Sequence, residues 1–139
     1  MNGYLLVRSE GKAYGLPVGR VLEVGDATEV LDVPRSLPAV RGLTPLRGRL
    51  VPVIHLGAFL TGRAAPPVSE GKKGYTLVLV ELGGRQVAFE VDDADAVVRE
   101  QALPVPHGQT LPWASGVAEQ EGAGLVPILD FDALGERLG

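Results

Sequence analysis

Cysteine is absent from the 139 residues, so neither a disulfide framework nor a thiolate metal site can hold the chain, and a reducing cytoplasm is its expected compartment. Histidine is nearly absent. His55 and His107 stand alone, with no second histidine at ligand spacing, which argues against a zinc centre. No apolar run approaches the roughly 18 residues that a membrane span needs. Nor does Met1-Asn2-Gly3-Tyr4 open a basic region followed by a long apolar one, so a signal peptide is not expected. Positive charge is in the minority: 13 basic residues against 17 acidic ones give −4, and the basic residues are scattered. Phosphate backbones are held by clustered positive charge, so nucleic acid is not an expected partner.

Catalytic material is equally scarce. Ser9, Ser36, Ser69 and Ser115 occupy turn-like contexts, and none sits in a nucleophile elbow. Gly83-Gly84 and Gly122-Ala123-Gly124 read as hairpin turns rather than phosphate-binding loops. One acidic stretch stands out, Asp92-Asp93-Ala94-Asp95, because Asp93-Ala94-Asp95-Ala96-Val97 is similar to an aspartate-nucleophile phosphatase motif. Such a site needs its aspartate at the end of a buried strand and a lysine downstream. Glu90 and Asp92 interrupt the apolar run, and no lysine follows Lys73, so a solvated turn is the expectation and a small carboxylate-dependent phosphate hydrolase the alternative. His55, inside an apolar run, is expected to be a satisfied core or edge histidine rather than a base. No catalytic, cofactor-binding or metal-binding residue is assigned, and the chain is not expected to be an enzyme.

What the sequence does contain is 19 glycines and 11 prolines punctuating short, β-prone apolar runs. Tyr4 to Arg8, a turn at Glu10-Gly11-Lys12 and a return over Ala13 to Val18 predict a hairpin, and Val21, Leu22 and Val24 continue extended. Ser36 to Val40 is long enough for one helical turn stopped by Gly42. The central stretch, Val40 to Leu56, holds two apolar runs around Arg47-Gly48-Arg49. A glycine that takes positive φ there would set guanidinium groups at the edge of a rigid sheet. Leu56 to Leu60 predicts a short helical turn ending near Gly62, and residues 63–73, rich in Pro, Gly and charge, read as a linker.

Beyond the linker the signals begin again. Tyr75 to Leu82, Gly83-Gly84 and Gln86 to Val91 repeat the first hairpin, Ala94 and Val97 stand where Val21 and Val24 stood, and Val105-Pro106 answers Val33-Pro34. Leu125 to Ala133 matches Leu50 to Ala58 at a distance of 75 residues, while Pro112 and Gly116 mirror Pro38 and Gly42. The pattern predicts one domain over 1–139 built from two halves, about 3–62 and 74–138, each closing a small β-barrel. A barrel of roughly 60 residues is marginal alone, so the two are expected to share a core. Asp130 is the expected N-cap of a terminal helix carrying Phe131, Leu134 and Leu138 on one face.

In this order and spacing the chain resembles the CheW-like family of chemotaxis adaptors. The residues that carry the resemblance are Tyr14-Gly15-Leu16-Pro17-Val18 with Val21 and Glu23, Val40-Arg41-Gly42, Leu46-Arg47-Gly48 running into Val51-Pro52-Val53, Val91-Asp92, Gly116-Val117 and the tail from Leu125 to Leu134. The resemblance implies an all-β fold of two SH3-like five-stranded barrels with short helices, without catalytic activity or cofactor. It further implies a cytoplasmic protein linking the tips of chemoreceptors to the histidine kinase CheA, whose regulatory domain shares the fold. Carried over by motif, Arg47 would be the polar centre of the receptor-binding surface, with Val21, Glu23 and Gly42 around it in a groove between barrels; the kinase contact would be apolar and made by one barrel. Three positions depart from the family pattern: Pro45 stands for asparagine, His55 for aspartate and Ala88 for glycine. Pro45 removes a backbone donor beside Arg47, and His55 exchanges a negative charge for a titratable ring. These departures motivate a second reading, a divergent adaptor that serves a pilus or gliding-motility pathway or titrates the kinase.

Overall fold

A computed structural model describes residues 3–34, 37–68, 74–98, 103–104, 112–120, 122 and 124–138. Ser36, Ser69, Val105-Pro106, His107 and the end of the 63–73 linker lie outside the described residues. The strands are β1 (Tyr4–Ser9), β2 (Lys12–Pro17), β3 (Val21–Ala27), β4 (Val40–Leu46), β5 (Arg49–His55), β6 (Tyr75–Leu82), β7 (Arg85–Val91), β8 (Asp93–Val98), β9 (Ala114–Gln120) and β10 (Gly124–Leu129). Two short helices follow, α1 (Leu56–Thr61) directly after β5 and α2 (Phe131–Arg137) one residue after β10. The fold is the all-β, SH3-like arrangement expected, in two five-stranded sheets ordered β8-β1-β2-β10-β9 and β3-β6-β7-β5-β4.

That strand order corrects one expectation: neither half closes a barrel of its own. Each sheet takes a hairpin from one half, β1–β2 or β6–β7, and completes it with three strands from the other. The joints are parallel, β10 beside β2 and β5 beside β7. Replacing each strand by the one five places later converts one sheet order into the other, and the registers agree. Leu5 lies opposite Val97 as Val78 lies opposite Val24, and Val126 opposite Ala118 as Val51 opposite Thr44. Even the isolated bridges correspond, Leu31 with Leu43 and Leu103 with Val117.

The exchange has a packing reason. A single apolar cluster draws Leu5, Val7 and Leu16 from one sheet, Ile54, Val80 and Phe89 from the other, and Phe59, Phe131 and Leu134 from the helices. Burial of each such side chain contributes roughly 1.5–3 kcal/mol, a return that a 60-residue half could not collect alone. Phe89 sits at its middle, with ring centroids 6.1 Å from Phe59 of α1 and 6.3 Å from Phe131 of α2. On the opposite face of β7, beside a smaller apolar cluster that includes Ala88 and Tyr75, lies an ion pair, Arg41 Nε to Glu90 Oε1 at 2.5 Å, with Glu90 4% exposed. Arg41 also donates to the Pro66 carbonyl and lies over the Tyr75 ring, so Glu90, which interrupts the apolar pattern of β7, is satisfied.

The helical turn expected at Ser36–Val40 does not form in the described part. Leu37 to Ala39 make a turn, Val40 already belongs to β4, and the Ala39 carbonyl accepts from His55 N, which commits it to the start of α1. Each helix is capped by the residue just before it, His55 at the end of β5 and Asp130 one place after β10. Asp130 Oδ1 accepts from Asp132 N and Ala133 N; at α1 the corresponding His55 Nδ1 accepts from Ala58 N at 3.1 Å, and Ser9 Oγ accepts from Gly57 N. An accepting Nδ1 carries no proton, so His55 is a neutral cap. Gly62 ends α1 with φ 70°, where a glycine is favoured.

Two predictions follow from these local constraints. Burial pushes the His55 imidazole below its ordinary value, opposed by Glu90 and Glu10, and further influenced by Arg41 and Asp92. Above the unfolded value of about 6.5 both states are neutral and the cap is fully present; as pH falls through that value the unfolded chain takes up a proton that the folded chain resists, so stability declines. Urea unfolding between pH 7.5 and 5 is expected to show this decline, and His55→Asn, a cap without a proton switch, is expected to flatten it. At Gly42 a Cβ would stand 2.1 Å from the Leu31 carbonyl oxygen. Gly42→Ala is therefore expected to cost about 1–3 kcal/mol of unfolding free energy by forcing the 28–31 segment off β4.

Candidate partner-binding site

The turn between β4 and β5 is made by Arg47 and Gly48, with φ 51° and 80°. Positive φ at both central residues is the twist that a two-residue hairpin needs, and a non-glycine residue in that region costs on the order of 1 kcal/mol. Arg47 is thus held in a conformation its side chain does not favour, at the tip of a rigid hairpin. Its side chain is 77% exposed, and its Nε lies 3.1 Å from Glu23 Oε1 on β3. β3 and β4 are the two edge strands of their sheet, so this contact reaches from one edge to the other. No described residue bonds the terminal nitrogens of Arg47, which leaves its fork open to a carboxylate.

Of the four residues singled out from the sequence, the structure brings Glu23 and Arg47 together, while Val21 and Gly42 pack elsewhere. Val21 is half-buried at the start of β3 and packs against the main core, while Gly42 is buried within β4. A register shift between Val21 and Glu23 breaks the alternation of β3, and Leu22 and Val24 emerge 48% and 47% exposed. Leu31 and Leu50 are likewise exposed, at 55% and 57%, which the strand pattern alone did not disclose. Asp26 and Glu29 were also missed; each is exposed beside a 390 Å³ cavity that opens between β3 and the β4–β5 hairpin. The available signal was the run of acids after Glu23.

The departures from the family pattern separate in space. Pro45 lies exposed on edge strand β4, lining that cavity, whereas His55 is 5% exposed and serves the α1 cap. Ala88 is buried on the cavity floor. Asp92 to Asp95 are not a solvated turn. Asp93 and Asp95 lie on β8, pair with Arg8 Nη1 at 3.4 and 3.1 Å, and Asp92 Oδ2 accepts from Glu10 N, so these carboxylates join β8 and the β1–β2 hairpin. Among the described residues no three His, Cys, Asp or Glu side chains come together as a metal site. Among them too, no helix is long and apolar enough to cross a membrane.

No curated protein matches the chain. Among solved structures, the scaffolding protein TtCheW from Thermoanaerobacter tengcongensis superposes with a TM-score of 0.78 at 21% identity, over 96% of this chain and 91% of that one. At that identity the likeness speaks for the fold. The sequence itself matches the CheW-like domain over residues 3–138, which takes in both sheets, both helices and the Arg47 hairpin, and the chain belongs to the CheW-like family.

Proposed function

We propose that this protein is a cytoplasmic, non-enzymatic chemotaxis adaptor that couples chemoreceptors to the histidine kinase CheA, with the Arg47–Glu23 edge as the receptor-docking surface. The observation that carries the reading is the juxtaposition of an open guanidinium and a carboxylate on a stiff sheet edge, in a chain of the CheW-like family. An adaptor needs surfaces rather than reactive groups. The ionised side chains of Arg8, Glu10, Arg41, Arg63 and Glu90 are occupied in intramolecular pairs, while Arg47 is highly exposed and half-committed. A partner that offers Arg47 a carboxylate and Glu23 a base would exchange one exposed pair for two partly desolvated ones. Such complementarity sets register and on-rate as much as affinity.

Exposed pairs contribute about 0.2–1 kcal/mol, so the surface can be altered without unfolding the chain. Arg47→Glu, which sets two carboxylates against each other, is expected to abolish co-sedimentation with receptor-bearing membranes while leaving the circular dichroism spectrum unchanged and the melting temperature within a few degrees. Unaltered co-sedimentation would remove this edge as the docking surface. The receptor and kinase captured from the source cell by the unmodified chain would separate a chemotaxis pathway from a pilus or gliding-motility one.

A further inference from the structure

The correspondence between the two sheets exposes one place where they differ. By register, Tyr4 of β1 corresponds to Leu77 of β6, Gly15 to Ala88, Ile128 to Val53 and Ala118 to Thr44. In the first sheet the Tyr4 ring, 3% exposed, closes over this position with Ala118 and Ile128, lying so near Gly15 that a Cβ there would meet Tyr4 Cδ2 at 2.7 Å. The second sheet has a leucine in place of the ring. Leu77, Leu79 and Ala88 form the floor of the 390 Å³ cavity, over a small apolar cluster separate from the main core.

Among the described residues the charged side chains lining the rim of this cavity are all acidic, Glu23, Asp26 and Glu29, the nearby Arg47 being engaged by Glu23. Apolar floor and acidic rim together select a ligand that is apolar at its end and cationic at its flank. We propose that this open end of the β3–β7 sheet receives an aromatic or long aliphatic side chain that a partner protein presents beside lysine or arginine. The partner's side chain would take the place that Tyr4 fills in the other sheet, with its neighbouring cation between Asp26 and Glu29. This pocket is defined by the cavity and its rim, and it stands whether or not Arg47 docks a receptor.

The test uses the full chain, 15N-labelled, titrated with the tripeptide amide acetyl-Arg-Phe-Arg and with acetyl-Glu-Phe-Glu as its charge-reversed control. Saturable shifts of the Leu77, Leu79 and Ala88 amides with the basic peptide, at least 10-fold weaker with the acidic one, are expected. Leu77→Tyr, which builds the plug of the first sheet into the second, is expected to eliminate those shifts. Should that variant not fold, the surface variant Asp26→Asn with Glu29→Gln keeps the question open to measurement and is expected to weaken the basic peptide several-fold. Equal binding of the two peptides, shifts confined to other residues, or undiminished binding by a folded Leu77→Tyr or by the Asp26/Glu29 variant would each overturn the proposal.

Discussion

Two parallel strand pairings, β10 beside β2 and β5 beside β7, are what the rest of this molecule hangs on. Every other strand contact within the sheets is antiparallel. The parallel joints couple a hairpin from one half of the chain to a hairpin from the other, and each helix starts within a residue of the coupled strand before it. Their packing is correspondingly intolerant. At one joint Ile128 faces Gly15, where a Cβ would meet Ile128 Cδ1 at 2.5 Å; at the other Val53 faces Ala88, and Phe89 carries the contact on to both helices.

From this arrangement the outer edges inherit their rigidity. The β4–β5 hairpin is anchored by β7 on one side and by the Leu31 bridge on the other, so Arg47 stands on a support whose position is set by the core. Other charged side chains, both buried and exposed, hold the strands together. Arg41 and Glu90 tie β4 to β7, and Arg8 ties β1 to β8. A scaffold built this way offers partners a preorganised surface, so that little conformational freedom is lost when they dock. Individually modest contacts can then be multiplied by linkage in an assembly.

The local features were legible in the sequence because they rest on local physics. Gly83-Gly84 and Arg47-Gly48 turn hairpins, Asp130 caps α2, Gly62 ends α1, and the Leu125 run echoes the Leu50 run. Strand periodicity says which face of a strand is buried but not which strand lies beside it, and so the exchange of strands between halves was hidden. The same limit concealed the bulge that turns Leu22 outward and the reason for Gly42, whose neighbour Leu31 is brought in by the fold. At the candidate site Glu23 and Arg47 were found through a family motif, and their contact needed coordinates. His55 was legible as a satisfied core or edge histidine, and the structure adds that its ring nitrogen caps α1 as the Asp130 carboxylate caps α2.

Interleaving also governs how the chain can be made and divided. The β1–β2 hairpin is synthesised before β8, β9 and β10, which complete its sheet, so its apolar face must wait for strands far along the polypeptide. A break in the 63–73 connection would leave two fragments that are each other's missing strands rather than two miniature domains. Reassociation of such fragments would rebuild both sheets at once, which makes this connection a natural point for splitting the protein into complementing pieces.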